Sequence, residues 1–175
     1  MRTLFALCAV ALFALPAAAL ERDRDGYYHT GEGVRVKKVA FISVKVYAID
    51  HYMKDLPPSK SKQAVIDAAV DKRFSWKMLR TVESEKIANA LREAFAKNGY
   101  SDNAKIDSFV GSFGKELKEG DQVTINYVAA QKATTVTTPS GSRTVEGEDF
   151  MKATWSIWFG KIDQPSLGDS LLDRL

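Results

Sequence analysis

The feature that most constrains the fold is a change in the spacing of apolar residues along the chain. In residues 34–46 the apolar side chains recur at about every second position, which is typical of β-strands. In residues 84–98 the spacing changes to four, so that Ile87, Leu91 and Phe95 form one stripe of a predicted helix. A chain that carries both periods must pack helices against a sheet, and this predicts an α+β fold.

The other apolar patterns extend this order. Strands followed by helices, a hairpin and further helices are typical of a mostly antiparallel sheet. Residues 63–70 and 73–79 each fit either a helix or a strand, and the period of two in Phe74, Trp76 and Met78 favours a strand over 73–79. The first predicted element is a hairpin from Val34, with an irregularity at Lys37–Lys38 that fits a turn or a bulge and with a second strand over 47–52. The other predicted elements are a strand over 73–79, helices over 84–98 and 102–117, a strand over 123–127, a hairpin over 133–145 around Pro139-Ser140-Gly141, a helix over 148–159 and a short helix from Pro165.

The first residues are typical of a cleavable export signal. Arg2 supplies a positive charge, residues 4–15 are apolar, and three alanines ending at Ala19 form an A-x-A cleavage site. The apolar run is shorter than the roughly 20 residues that span a bilayer, which argues against an anchor helix. We therefore expect cleavage after Ala19, a single domain over residues 20–175, and a periplasmic or secreted protein. Cys8, the one cysteine, is removed with the signal, which leaves no disulfide or thiolate nucleophile.

Composition argues against several functional classes. The chain has 25 basic and 22 acidic residues, and they are interspersed, which is typical of an ordinary solvated surface rather than a nucleic-acid interface. His29 and His51 are the two histidines, whereas a zinc site needs three or four ligands, so we expect no metal site and no cofactor. Asp50 and His51 could form an acid–base pair, but neighbours in a strand face opposite sides.

Three stretches resemble a known family in their order along the chain. They are Gly31-Glu32-Gly33-Val34-Arg35 with Phe41 and residues 46–52, then Val82-Glu83-Ser84-Glu85-Lys86-Ile87, and then residues 147–160 with Pro165 and Leu171-Leu172. Together they resemble the chalcone isomerase superfamily, in particular its bacterial exported chalcone isomerase-like branch. The resemblance implies an open-faced β-sandwich with a mostly antiparallel sheet, helices layered on one face, and a ligand cleft between them.

The resemblance also bears on catalysis. The plant enzyme of this superfamily cyclises a chalcone with an arginine, a tyrosine, an asparagine and two hydroxyl residues. Arg35 matches the arginine, but the other four positions do not match. Without those donors the site lacks groups that would stabilise developing charge, so we expect no catalytic residue. The four unmatched positions fall at Ile42, at Glu83, near Ala90 with Asn89 one residue away, and near Met151.

Arg35 and Tyr47 match the residues that hold the ligand carboxylate in the fatty-acid-binding relatives. A guanidinium is costly to bury unpaired, and a carboxylate can satisfy it with two parallel hydrogen bonds. Alternatively, Arg35 points outward or pairs with an internal acid such as Glu83 or Asp149, and Tyr47 is an ordinary core tyrosine. The candidates for contact with the apolar tail are Phe95, Phe109, Phe113 and Trp158.

Three functions therefore stand as hypotheses. The first is a binding module for a fatty acid or a similar small apolar carboxylate, anchored by Arg35 and Tyr47. The second is an isomerase or lyase that acts on a chalcone-like conjugated ketone, with Arg35 as the electrophilic group. The third is a structural or partner-binding protein without a ligand. We expect a monomer that binds no nucleic acid and has no stable membrane insertion.

Overall fold

The computed structural model describes residues 20–175, apart from the side chain at position 39, so the predicted signal and its cleavage site lie outside the described residues. Six strands and five α-helices follow one another in the described part of the chain. No helix among these residues has the length and apolar character needed to cross a bilayer. The elements are β1 Tyr28–Val39, β2 Ile42–Met53, α1 Lys62–Asp67, β3 Lys72–Met78, α2 Ser84–Lys97, α3 Asn103–Val110, β4 Gln122–Val128, β5 Ala133–Thr138, β6 Gly141–Glu146, α4 Glu148–Phe159 and α5 Pro165–Ser170.

The sheet has the simplest antiparallel topology. Its strands lie in the order β1 to β6, and each strand pairs with its neighbour in sequence. Buried and less buried residues alternate along β3 and β4, so one face of the sheet is covered by helices. Helix α4 is central and packs against α1, α2 and α5. The predicted α+β class with an open-faced antiparallel sheet is confirmed.

An aromatic core joins the sheet to α4. Phe74, Trp76 and Met78 lie on the buried face of β3, as their spacing predicts. The ring of Phe74 lies 5.0 Å from that of Trp155 and 4.6 Å from that of Trp158. All three rings are almost completely buried, so α4 is held to the middle of the sheet by its two tryptophans.

The first hairpin differs from the prediction. Lys37 and Lys38 lie inside β1, and the chain turns at Ala40 and Phe41. The irregularity is a β-bulge between Arg35 and Val36. The two lysines interrupt the apolar alternation because this part of the strand is exposed, and exposed strand positions accept charge without loss of pairing.

The second predicted helix is shorter than its apolar stripe. Helix α3 ends at Val110, and Gly111 forms its C-cap. Phe113 and Leu117 are nevertheless buried, and Leu117 forms an isolated bridge with Val82. The spacing of apolar residues indicates which side chains are buried, but not that all of them lie in a helix. Here the non-helical segment after α3 carries the last buried residues of the predicted stripe.

Two glycines allow α5 to lie directly on β1. The inner face of β1 carries Gly31, Gly33 and then Arg35, opposite His51, Ile49 and Tyr47 of β2. A Cβ atom at Gly31 would collide with the backbone of Ser170, and one at Gly33 would lie 2.6 Å from the Leu167 side chain. Arg35 is therefore the first side chain on this face beyond the region that α5 covers.

Candidate ligand-binding cleft between the sheet and helix α2

A cleft of about 980 Å³ lies between β1–β3, α2, the end of α4 and the loop after it. This volume lies near the upper end of the range for small-molecule sites, roughly 300–1,000 Å³. We call it the Arg35 cleft. Its apolar wall includes Val46, Trp76, Met78, Leu91, Ile157 and Trp158.

Arg35 lies in the wall of the cleft and is held on one side by the loop that follows α4. Its Nη2 donates to Oδ1 of Asp163 at 2.6 Å, and its Nη1 donates to Oε1 of Gln164 at 3.2 Å and to the carbonyl of Val36 at 3.3 Å. The Arg35 side chain is 16% exposed, whereas that of Asp163 is 57% exposed. The acid is thus the solvated member of the pair.

The partner of Arg35 is not one of the two acids named from the sequence. Glu83 pairs with Lys86 at 3.1 Å, and Asp149 pairs with Lys105 at 2.9 Å. No sequence signal marks Asp163 or Gln164, because they are two ordinary polar residues in a short linker. Only the return of the chain from α4 to α5 brings them beside β1.

Gln164 also covers part of the edge of the sheet. Its side-chain carbonyl accepts from the backbone N–H of Val36 at 2.8 Å, and its amide donates to the carbonyl of Val34 at 3.0 Å. The side chain therefore occupies the hydrogen-bonding groups that an additional strand would use. These bonds fix the backbone on both sides of Arg35 and so orient its guanidinium.

Tyr47 lies directly opposite Arg35 in the β1–β2 register and lines the same cleft. Its ring stacks on Trp76 with centroids 4.7 Å apart, and its hydroxyl accepts from Nε1 of Trp158 at 3.0 Å. Burial raises the pKa of Tyr47, while the bond from Trp158 and the charge of Arg35 oppose that shift. Tyr47 is therefore a neutral phenol whose O–H can donate to a ligand oxygen.

The structure separates the residues that the resemblance places in the enzyme's site. Glu83, Asn89 and Ala90 line the Arg35 cleft. Ile42 is 69% exposed next to the turn of the first hairpin, and Met151 is buried in the core. Neither position lines the cleft, although the enzyme has hydroxyl residues there.

The expected tail contacts are mostly wrong. Trp158 lines the cleft, but Phe95, Phe109 and Phe113 do not, and all three pack in the core. Phe95 and Phe109 lie edge to face with ring centroids 5.9 Å apart. The stripe of a helix identifies its inward side, but it does not distinguish a filled core from a cleft.

Charged residues line the cleft and are more often basic than acidic. Six basic residues and four acidic residues lie in its lining, which favours an anionic ligand. Two of these acids, Glu83 and Asp163, are already paired with Lys86 and Arg35. The basic residues are Arg35, Lys37, Arg80, Lys86, Lys97 and Lys161, and the acidic ones are Glu83, Glu93, Glu116 and Asp163.

A group of three potential metal ligands lies on the opposite face of β1 and β2. Nε2 of His29 lies 3.0 Å from Oδ1 of Asp50 and 3.8 Å from Oε2 of Glu32. Burial raises the pKa of Asp50, and the His29 ring opposes the shift. Arg174 lies 3.1 Å from Glu32 and offsets one of the two carboxylate charges. The sequence gives no reason to expect this grouping, since a bulge in β1 is needed to put His29 beside Glu32.

Comparison with known proteins gives a family match and similar solved structures. A family model described as chalcone isomerase-like matches residues 17–172. Among solved structures, the crystal structure of a fatty-acid binding protein from Arabidopsis thaliana is similar, with a TM-score of 0.69 and 16% sequence identity over 92% of each chain. At that identity the likeness shows the fold alone. The comparison with curated protein sequences gives no match.

Proposed function

The chain belongs to the chalcone isomerase-like family, and from that premise we propose that it binds a fatty acid or a similar apolar carboxylate without transforming it. The observation that carries the proposal is that Arg35 and Tyr47 lie opposite each other on neighbouring strands in the wall of an apolar cleft of about 980 Å³. A guanidinium and a phenol O–H supply donors for a carboxylate, and the apolar wall accepts a hydrocarbon chain. The similarity to the crystal structure of a fatty-acid binding protein supports this choice of ligand class.

A ligand carboxylate that binds Arg35 must replace the carboxylate of Asp163, which is bonded to it. Asp163 is 57% exposed and lies on a loop, so its carboxylate can move into water when a ligand carboxylate replaces it on the guanidinium. The exchange keeps one negative charge beside Arg35 and leaves no buried charge unpaired. Asp163 is therefore a competitor that holds Arg35 in place when the cleft has no acid in it.

Binding without turnover fits the positions that depart from the enzyme's pattern. Ile42 and Met151 supply no hydroxyl and lie outside the cleft lining, and Glu83 replaces a phenol with an acid. Few donors then remain to stabilise an enolate or phenolate that develops during ring closure. Incubation of the protein with a chalcone checks this, since turnover well above that in buffer would favour the isomerase hypothesis instead.

The main test measures the affinity of a long-chain fatty acid by titration. Because a charged hydrogen-bond partner is removed, Arg35→Ala is expected to weaken binding at least about tenfold. Asp163→Asn removes the competitor of the ligand and is expected to tighten binding by up to about fivefold, since exposed ion pairs are weak. Arg143→Ala is a matched control, because Arg143 lies exposed on β6 away from the cleft. Unchanged affinity in both Arg35→Ala and Asp163→Asn would disprove the anchor.

The ligand class can be identified directly. Native mass spectrometry of protein purified from its own compartment is expected to show one acid per chain. The same sample tests export, which we propose from the first 19 residues, since the mass of the mature protein gives its first residue. A chain that retains those residues would contradict cleavage.

A further inference from the structure

The tip of the first hairpin carries the two most exposed large apolar side chains that the structure describes. Phe41 is 105% exposed, Ile42 beside it is 69% exposed, and Leu56, the third large exposed hydrophobic residue, is 41% exposed. Isolated apolar residues are common on protein surfaces, but adjacent large ones at a projecting turn are not expected without a binding partner.

All charged residues in the chain around this tip are basic. Between Glu32 and Asp50 there is no acidic residue, and the charged residues in this stretch are Arg35, Lys37, Lys38 and Lys45. Lys37, Lys38 and Lys45 are exposed and flank the turn on both strands. The apolar tip is therefore surrounded by positive charge in a chain whose net charge is only +3.

The hairpin projects beyond the rest of the sheet. Pairing between β2 and β3 extends only to Tyr47 opposite Met78, whereas pairing between β1 and β2 continues to Val39 opposite Ile42. The segment from residue 37 to residue 45, which we call the hairpin tip, is thus a two-stranded arm. It can contact a large surface while the core keeps its packing.

We propose that the hairpin tip docks on an anionic lipid bilayer, with Phe41 and Ile42 in the interfacial region and the lysines against the headgroups. Two apolar side chains are too few for a stable protein interface, which buries roughly 800 Å² on each partner. They are enough for reversible attachment to a membrane when basic residues add attraction to anionic lipid. This attachment requires no spanning segment.

Docking would also orient the ligand-binding site. Lys37 and Val44 belong to the hairpin and line the Arg35 cleft, so the attached protein holds this end of the cleft beside the bilayer. Docking depends on the exposure and charge of the hairpin tip rather than on the ligand, so it can be tested without any fatty acid.

The test is co-sedimentation of the purified protein with vesicles of phosphatidylcholine containing phosphatidylglycerol, beside vesicles of phosphatidylcholine alone. We expect binding to the anionic vesicles that decreases as salt is added. Phe41→Ser is expected to weaken it by about tenfold or more, because the largest inserted side chain is lost. Lys38→Gln and Lys45→Gln, neither of which lines the cleft, should each weaken it by about fivefold.

Leu56→Ser is the matched control for Phe41→Ser. Leu56 is also exposed, but it follows the other end of β2, so its replacement should leave vesicle binding unchanged. Phe41→Trp adds a reporter, since Trp76, Trp155 and Trp158 are all buried and position 41 is exposed. Its fluorescence should shift to the blue with anionic vesicles, and the thermal stability of each variant should match that of the wild type.

Equal loss of vesicle binding in Phe41→Ser and Leu56→Ser would overturn the proposal, as would the absence of binding to anionic vesicles. A concentration-dependent dimer that Phe41→Ser abolishes would assign the hairpin tip to self-association instead. Fatty-acid affinity in solution should be unchanged in Phe41→Ser. Failure of the docking proposal is therefore separable from failure of the ligand proposal, which Arg35→Ala tests.

Discussion

Two regions of the molecule are joined by the same kind of contact between α4 and β2, yet one is an open cleft and the other a filled core. In both, a tryptophan of α4 donates its indole N–H to a side chain of β2. Trp158 donates to the hydroxyl of Tyr47 at 3.0 Å beside the open cleft, and Trp155 donates to Nε2 of His51 at 2.9 Å in a filled core. Tyr47 and His51 are four residues apart on one face of β2.

We call the region around His51 the closed end and the region around Tyr47 the open end. At the closed end the polar groups are buried on all sides. His51 accepts from Trp155 at Nε2, so its Nδ1 carries the proton and donates to Oγ1 of Thr30 at 2.6 Å. That hydroxyl donates to the carbonyl of Leu171 at 3.0 Å, just beyond α5. Burial and the neighbouring Lys72 hold the pKa of His51 well below its usual value, so the ring is neutral.

The covering helices make the difference. Near His51, the end of α5 lies on β1, and α1 is joined to β3 because Nζ of Lys72 donates to the carbonyl of Val65 at 2.7 Å. Near Tyr47, helix α2 contacts α3 and α4, and the space between α2 and the sheet is the cleft. The comparison shows that a cleft arises here from the placement of one helix, while the sheet beneath it is continuous.

The first prediction concerns protein stability when His51 or Tyr47, the two side chains of β2 that accept from the tryptophans, is replaced. His51→Ala is expected to lower the free energy of unfolding by about 3 kcal/mol, because it opens a cavity and leaves the N–H of Trp155 without an acceptor. Tyr47→Ala should cost clearly less, since water in the cleft can reach the N–H of Trp158. Urea denaturation measures both. A larger loss in Tyr47→Ala would break the distinction between the two ends.

The second prediction concerns Lys72, whose side chain is completely buried at the closed end. Burial lowers the pKa of Lys72 to about 7, whereas a lysine in the unfolded chain titrates near 10.4. Between these values the unfolded chain holds the additional proton, so stability rises with pH. From pH 7 to pH 9 the free energy of unfolding should increase by about 2 kcal/mol.

Lys72→Met removes this titration and should abolish most of that increase. The matched control is Lys77→Met on the same strand, where the side chain is exposed and the rise with pH should persist. Urea denaturation of all three proteins at several pH values checks the prediction. The same slope in wild type and Lys72→Met would show that Lys72 stays charged, held by the carbonyl of Val65 and the face of Trp155.

The third prediction concerns the hydroxyl of Tyr47 in the wall of the Arg35 cleft. Tyr47→Phe keeps the ring on Trp76 and removes only the hydroxyl, so the free energy of unfolding should fall by about 1 kcal/mol or less. If the hydroxyl contacts a ligand carboxylate, fatty-acid affinity should fall by about fivefold in a titration. Thr134→Val, which removes a buried hydroxyl from β5 outside the cleft lining, should leave that affinity unchanged. Wild-type affinity in Tyr47→Phe would leave Arg35 as the sole anchor.

The fourth prediction concerns the turn of the first hairpin, where one substitution should change stability only slightly. Ala40 has a φ of 53°, a conformation that glycine adopts without the steric cost of a Cβ atom. Ala40→Gly should therefore raise the free energy of unfolding by about 0.5 kcal/mol, with part of the gain offset by greater freedom of the unfolded chain. A substantial loss of stability on denaturation would contradict this turn geometry.

Much of the fold could be predicted because local patterns determined it. The spacing of Phe74, Trp76 and Met78 predicts β3, and the stripe of Ile87, Leu91 and Phe95 predicts α2. The turn at Ala40 and Phe41 is not predicted, since neither is a usual turn residue and the break in the apolar pattern lies earlier, at Lys37–Lys38.

Less of the candidate site could be predicted, since its parts come from distant segments. The family resemblance pointed to Arg35 and Tyr47, and the structure places them opposite each other in the cleft wall, although their contact with a ligand remains a prediction. Asp163 and Gln164 were not identified, because they approach Arg35 across about 130 residues of chain and no local pattern marks them.

Local sequence patterns are sufficient to predict the α+β class, most of the strands and helices, and the presence of a single arginine among apolar strand residues near Tyr47. Those features follow from side-chain periodicity and charge, which act over a few residues. The packing of distant segments is needed to explain why Asp163 neutralises Arg35, why Phe95 lies in a filled core, and why Phe41 lies in solvent. Each of these depends on which distant element covers a given face, and periodicity along one segment contains no information about that cover.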